Sequence, residues 1–309
     1  LAGNSFTSGD HTTLFGYQAG KAITSAGNNC FFGSNAGLST TTGTDNCGFG
    51  QETLEANTTG ASNVAVGRRA LETLTTGSEN TAVGAGALQW ATTGYGTVAI
   101  GKNAGANTTY TGGQNVLVGV NAGHGLTSGG ESVFVGYNAG NDFTTGHSSI
   151  CIGRNAGEKI TTAAGNIVMG WNVAETLTTG GYNTVAGYGA FIAATTAASN
   201  TAIGGSVATS VTTGENNTML GAGTATNLTT GSNNTILGRS AQPSSATVSN
   251  EITLGNNSVT KFRVPNLNFV IKSSTATEDH VLTVDANGEA GWEAAGGGTS
   301  EGQTYVNMK

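Results

Sequence analysis

Charged and aromatic side chains are scarce in this chain of 309 residues, at 9% and 6%, and proline occurs only at Pro243 and Pro265. Such a composition is not that of ordinary globular domains. The scarcity of proline excludes collagen and proline-rich linkers. The net charge of −7 and the absence of a basic run longer than Arg68-Arg69 argue against a nucleic-acid partner.

The residues that usually carry chemistry are also few. Cys30, Cys47 and Cys151 form no CxxC pair, which predicts neither a disulfide framework nor a zinc site. No Ser-His-Asp signature or phosphate loop appears, and no apolar run is long enough to span a membrane. We therefore expect no enzyme activity, no cofactor, no metal and no membrane insertion. The histidines occupy unrelated positions: His11, His124, His147 and His280.

Glycine is abundant, with 51 residues, and one glycine recurs at a fixed interval. The interval is 17 residues, with one exception of 18 between Gly101 and Gly119. We call this residue the key glycine of each unit. The fifteen key glycines are Gly16, Gly33, Gly50, Gly67, Gly84, Gly101, Gly119, Gly136, Gly153, Gly170, Gly187, Gly204, Gly221, Gly238 and Gly255.

The consensus unit reads N-T-A-V-G-x-x-A-L-x-x-L-T-T-G-x-x. Asn lies four residues before the key glycine in ten of the fifteen units, and Thr lies eight residues after it in thirteen successive units. Glycine twice per unit disfavours helix, whereas segments such as Val64-Ala65-Val66 are typical of strands. Stacked units predict an all-β, parallel β-solenoid with rungs about 4.8 Å apart.

Alternation along each strand predicts which side chains face inward. We expect the residues three and one before the key glycine to fill the interior, among them Val98, Ile100, Val116 and Val118. The residue two before it is also apolar, which predicts an outer face covered by other copies in a homotrimer. The expected subunit contacts are Leu14, Phe31, Leu117, Phe134, Met219 and Ile236.

The unit of 18 residues contains one extra residue. Inserting it within a strand would flip the following side chains, so we expect a surface bulge near Asn107-Thr108-Thr109-Tyr110.

The unit Asn80-Thr81-Ala82-Val83-Gly84, followed by Ala87 and Thr92-Thr93-Gly94, resembles the head repeat of trimeric autotransporter adhesins. The resemblance covers residues 1 to 255 and implies a left-handed parallel β-roll that forms a homotrimer. The family's own unit is shorter, and expanded units of this kind look like those of bacteriophage tail fibres. The sequence lacks the family's coiled-coil stalk and membrane barrel, which favours the virion as its location over the bacterial cell surface.

Residues 256–309 break the period. Val281 to Trp292 predicts a hairpin around Asn287-Gly288, because Asn-Gly is the preferred two-residue turn. The segment with Lys261-Phe262-Arg263-Val264-Pro265 looks similar to end modules of virion fibres. We therefore divide the chain into a solenoid at 1–255, a β-rich module at 256–295 and a linker or tail at 296–309.

The residue just after the key glycine varies most. In four consecutive units it is Tyr137, Arg154, Trp171 and Tyr188, which we call the aromatic strip. An aromatic and cationic surface suits a glycan receptor, whereas a ladder that only supports the solenoid or a subunit contact is the alternative.

Stacking also predicts carboxylate pairs, Glu55 with Glu72 and Glu158 with Glu175, about 5 Å apart. Such a spacing is compatible with a retaining glycosidase or a calcium bridge, but Arg68, Arg69 and Lys159 lie nearby and no long loop builds a cleft. The threonine pairs raise a further alternative, an ice-binding solenoid.

The sequence thus predicts a structural fibre that attaches to a host or cell surface through a glycan or protein receptor, with other virion fibre or baseplate proteins as further partners. A phage tail fibre is the interpretation that the sequence favours. A bacterial trimeric adhesin, an ice-binding solenoid and a glycan-depolymerising tailspike are the alternatives.

Overall fold

The computed structural model describes residues 2–5, 7–8, 11–107 and 109–261, together with the backbone of two strands at 280–284 and 290–294. Two compact units divide the chain, Leu1–Val259 and Thr260–Lys309. Within the described residues there is no helix, and hence none long and apolar enough to cross a membrane.

The first unit is a β-solenoid with one short strand per rung. Its parallel sheet follows chain order from β1 to β15, and each strand pairs with the next in register. This confirms the predicted solenoid and its rung length. The strands are β1 (Thr13–Phe15), β2 (Cys30–Phe32), β3 (Cys47–Phe49), β4 (Val64–Val66), β5 (Thr81–Val83), β6 (Val98–Ile100), β7 (Val116–Val118), β8 (Val133–Val135), β9 (Ile150–Ile152), β10 (Ile167–Met169), β11 (Thr184–Ala186), β12 (Thr201–Ile203), β13 (Thr218–Leu220), β14 (Thr235–Leu237) and β15 (Ile252–Leu254).

The second unit contains two antiparallel strands, β16 (His280–Val284) and β17 (Ala290–Ala294). Leu282 pairs with Trp292 and Val284 with Ala290, which confirms antiparallel pairing in the predicted hairpin segment. The connecting residues 285–289 and the predicted tail 296–309 lie outside the described residues.

The central residue of each strand faces the solenoid interior, so the predicted assignment of the two faces was wrong. Phe31, Leu117, Phe134, Met219 and Ile236 are fully buried within the single chain, and Leu14 is half-buried and packed against the same core. The five fully buried residues therefore have no surface left for the subunit contacts that the sequence predicted, whereas the contact predicted for Leu14 stays a prediction. Conversely, the four side chains expected inside point outward, two of them half-buried and two exposed: Val98, Val118, Ile100 and Val116.

Interior asparagines explain the inversion. The Asn four before the key glycine lies two residues from the central strand residue, so both occupy the same face. Asn63 is fully buried because its amide is satisfied there: Nδ2 donates to the carbonyl of Gly77 at 3.0 Å and to Oδ1 of Asn46 at 3.1 Å. Its own Oδ1 accepts the backbone N–H of Asn80 at 3.0 Å. A polar residue therefore marks the inner face.

The key glycines bring neighbouring rungs into backbone contact. Gly153 has a φ of 126°, and a Cβ there would lie 2.1 Å from the carbonyl oxygen of Gly170. No side chain fits such a contact, which explains why glycine recurs in every rung.

The extra residue of the longer rung leaves the strands in register. Val98 pairs with Val116 across β6 and β7, as expected if the insertion lies outside the strand. The extra residue falls between Gly105 and Tyr110. Tyr110, however, is buried, not on the surface: its hydroxyl bonds Thr97 at 2.7 Å and accepts from Asn115 at 2.8 Å. Thr108 lies outside the described residues.

Candidate surface-binding site

The aromatic strip lies where the chain leaves each strand. Its four members directly follow key glycines whose φ lies between 126° and 138°, a turn that directs the next side chain to the surface. The following residue is an asparagine with φ between 50° and 55° in three of the four rungs: Asn138, Asn155 and Asn172. Asn tolerates this left-handed conformation better than most residues. The asparagine after each of these strip residues therefore helps to set the backbone turn that places the strip side chain on the surface.

The structure brings all four predicted residues together on one exposed line. The three aromatic side chains are between 46% and 60% exposed, and Arg154 is exposed as well. The Arg154 guanidinium lies 5.7 Å from the ring centre of Tyr137 and 5.8 Å from that of Trp171. Trp171 and Tyr188 meet edge to face, with ring centres 5.2 Å apart. Each side chain of the strip thus contacts the next one, and all four remain partly exposed to solvent.

Arg154 makes no ion pair within the described residues, and the rings of Tyr137 and Trp171 are the groups that lie against its guanidinium. The strip ends at Val120 on one side and Gly205 on the other, which occupy the same position in the flanking rungs. Across four rungs it measures about 14 Å.

A column of asparagine amides, which the sequence reading missed, runs beside the strip. Asn155 donates to Asn172 at 3.1 Å, and Asn121 donates to Asn138 at the same distance. The signal was present, since Asn follows the key glycine by two in five successive rungs from Asn103. These half-buried amides place hydrogen-bonding groups next to the aromatic rings.

The predicted carboxylate pair Glu55 and Glu72 gains a third member, Glu52. One oxygen of each lies within 4.8 Å of the others. Arg69 Nε donates to Glu52 at 2.6 Å and lies 3.8 Å from Glu72. The hydrogen bond from Arg69 lowers the pKa of Glu52, whereas burial, together with the charges of Glu52 and Glu72, raises the pKa of Glu55. The guanidinium thus already supplies the positive charge that a bound cation would bring.

Burial also raises the pKa of Glu158, against the effect of Lys159, and the charge of Glu175 adds to the rise. Lys159 pairs with Asp142 at 2.9 Å. Two surface grooves of about 410 and 390 Å³ occur elsewhere, and neither is lined by any of these glutamates. Neither of these two grooves therefore supplies the predicted carboxylates with the cleft that glycoside cleavage requires.

The threonine pairs divide into two columns with different roles. The first hydroxyl of most pairs donates to a carbonyl of the next rung, as Thr58 does to Thr75 at 3.0 Å. The second, such as Thr59, is exposed. A single exposed column does not make the two-dimensional hydroxyl array that an ice plane would meet.

The outward face of the sheet is uncharged and largely apolar, and threonine is its only polar residue type in β1–β15. It consists of the first and third residues of each strand, which are Val, Ile, Thr, Cys, Phe, Met, Leu or Ala in β1–β15. Phe15, Phe32 and Phe49 stack along it with ring centres 5.8 and 5.0 Å apart. We call this surface the outward sheet face.

No known family model, curated protein or solved structure matches this chain.

Proposed function

We propose that this protein is a structural fibre that attaches to a host or cell surface through the aromatic strip. The observation that carries the proposal is the exposed line of Tyr137, Arg154, Trp171 and Tyr188 on a solenoid of stacked rungs. Aromatic faces with an unpaired guanidinium and neighbouring amides suit a surface glycan, which offers ring faces and hydroxyl groups together.

The fibre that we propose is a homotrimer joined through the outward sheet face. A contiguous apolar surface of this length is unusual on a monomer. Fifteen rungs of three-residue strands make a face roughly 70 Å long and about 10 Å wide, or about 700 Å². Three such faces would bury about 2,100 Å² in total, whereas one stable two-body interface buries roughly 1,200–2,000 Å².

The occupant that fits this face best is another copy of the chain. Its side chains repeat at the rung spacing along the full length, and only a surface with the same spacing can match them throughout. Three copies around an axis close the assembly, in keeping with the resemblance to trimeric autotransporter heads. Each fibre would then carry three aromatic strips, so weak sites would gain avidity.

The expanded repeat unit supports a phage tail fibre on the virion, with other fibre or baseplate proteins as partners. A trimeric adhesin on a bacterial cell surface is the alternative, because the repeat resembles both. No observation favours an enzyme: Glu52 and Glu72 share the Arg69 guanidinium, and neither predicted carboxylate pair lines one of the two grooves.

A binding assay on intact cells and on arrayed surface glycans tests the proposal. We expect the double substitution Trp171→Ala and Tyr188→Ala to abolish binding to intact cells and to the glycan that the cells present, and to leave the melting temperature nearly unchanged. Tyr17→Ala is the matched control, since Tyr17 also follows a key glycine and is exposed but lies outside the strip. Retained binding by the double variant, or a loss of folding with binding intact in the folded fraction, would assign the strip to a structural role.

A further inference from the structure

A second candidate binding surface lies at the longer rung, in a different column from the aromatic strip. A groove of about 390 Å³ is lined by Tyr95, Gln114, Glu131 and His147, by the hydroxyl residues Thr111 and Ser128, and by Gly112, Gly113 and Gly130. The sequence alone did not predict this groove. Its volume falls within the usual range of small-ligand sites, roughly 300–1,000 Å³.

Tyr95 and the glycines form the groove together. The Tyr95 ring lies directly on the backbone of Gly113, where a Cβ would approach the ring to 2.6 Å. A Cβ on Gly130 would lie 2.9 Å from the Gly113 carbonyl oxygen. The absence of side chains at these two positions leaves a flat floor, and Tyr95 remains 52% exposed above it.

Tyr110, which follows the extra residue of the rung, is anchored firmly beneath this surface. Tyr110 is buried between Thr97 and Asn115, and a Cβ on Gly112 would lie 3.0 Å from its ring. Backbone bridges join Ala91 to Tyr110 and Tyr95 to Gly113 across the two rungs. The irregular rung therefore presents a defined surface, as insertions beside binding sites commonly do.

The polar groups of the groove indicate the class of ligand. They include an amide, a carboxylate, an imidazole and two hydroxyl groups, so donors and acceptors surround one aromatic face. No Lys or Arg lines the groove, which disfavours an anion, and the polar lining disfavours an apolar ligand. We propose that this groove binds a neutral saccharide, with one sugar ring on Tyr95 and its hydroxyls bonded to Gln114, Glu131 and His147.

The test uses the full chain and an array of short neutral oligosaccharides built from hexoses and N-acetylhexosamines. We expect the unmodified protein to bind at least one of them and Tyr95→Ala to weaken that binding about tenfold or more. Tyr182→Ala is the matched control, because the exposed Tyr182 ring lies on Gly165 in the same way but does not line the groove. Tyr182→Ala should bind as the unmodified protein does.

A second variant, Gln114→Ala, covers the case in which Tyr95→Ala fails to fold, and it too should weaken binding. The proposal is overturned if no arrayed oligosaccharide binds, if the folded groove variants bind normally, or if Tyr182→Ala loses as much affinity. Binding that is lost in the Trp171→Ala, Tyr188→Ala variant but kept in Tyr95→Ala would assign the saccharide to the aromatic strip and likewise refute the groove. If the groove variants lose binding and the Trp171→Ala, Tyr188→Ala variant keeps it, only the proposed receptor site at the aromatic strip is refuted.

Discussion

At the scale of single residues, the buried asparagines are the groups whose bonding is most constrained. Asn183 illustrates the pattern, because its Nδ2 donates to Asn166 Oδ1 and to the Ala197 carbonyl at 3.1 and 2.9 Å. Its Oδ1 accepts the backbone N–H and the amide of Asn200 at 3.0 and 3.1 Å. A buried amide with all its groups satisfied costs little, whereas each partner left unpaired costs about 1–3 kcal/mol.

We therefore expect Asn183→Ala to lower the free energy of unfolding by about 2–4 kcal/mol, because the Ala197 carbonyl and the Asn200 donors lose their partner. Guanidinium unfolding measures the change. Thr196→Ala in the same rung, at an exposed side chain, should change stability by less than about 0.5 kcal/mol. Equal stabilities of the two variants would show that the interior ladder does not support the fold.

The carboxylate cluster gives a prediction that depends on pH. The pKa of Glu55 is raised in the folded state, chiefly by burial and then by Glu52 and Glu72, so its ionised form is disfavoured there. The cost is complete above the folded pKa and vanishes below the unfolded pKa, near 4.3. Glu55→Gln should raise the melting temperature at pH 7, and the gain should disappear at acidic pH.

Thermal melts of Glu55→Gln at several pH values check this expectation. Glu215→Gln, which removes an exposed carboxylate far from the cluster, is the control for the loss of one negative charge. A gain that persists unchanged at low pH would exclude the electrostatic explanation.

At the scale of the rung, the key glycine after each strand is a point of close backbone contact between neighbouring rungs. Gly204 has a φ of 143°, and a Cβ would lie 2.5 Å from the Gly221 carbonyl oxygen. Its neighbour Gly205 has nothing within 4 Å of the Cβ position. A side chain is therefore excluded at the first of these adjacent glycines, whereas there is room for one at the second.

Gly204→Ala should destabilise the solenoid by about 3 kcal/mol or more, because backbone must shift to admit the methyl group. Gly205→Ala should change stability by less than about 0.5 kcal/mol. Chemical denaturation of the two variants measures both values. Similar losses in both would contradict the proposed close approach of neighbouring rungs.

The rung also shows how far sequence reasoning reaches. The fixed interval of key glycines was enough to predict the solenoid, its rung length and the undisturbed register of the longer rung. It was not enough to orient the strand, because both faces are apolar and polarity is the usual guide to the outside. The burial of Asn63 and its equivalents would have settled the orientation. That burial could not be predicted from the strand alone, because each amide is satisfied by a carbonyl fourteen residues further along the chain.

The same limit applies to the sites. The aromatic strip was predicted because its members share one position in consecutive units. The groove at Tyr95 was not, because its residues come from different positions and an inserted residue shapes it. The third carboxylate, Glu52, was not predicted for a similar reason. It occupies a different position of the unit from Glu55, three residues earlier, and the turn of the rung brings the two carboxylates together.

At the scale of the whole molecule, the outward sheet face links the fold to the proposed function. One chain buries its central strand residues and leaves the flanking Val, Ile, Phe and Leu side chains half-buried or exposed. Covering them with further copies would remove apolar surface from water along every rung, at roughly 25 cal/mol per Å². It would also multiply the exposed strips on one fibre.

Sedimentation equilibrium of the purified protein tests this association most directly. We predict a mass about three times the 30.6 kDa of one chain. The double substitution Ile167→Lys and Met169→Lys, on the outward face of β10, should give monomers, whereas Thr162→Lys and Thr179→Lys, at exposed positions in the threonine column, should leave the trimer intact. A folded, unmodified protein that sediments at the mass of a single chain would contradict the account.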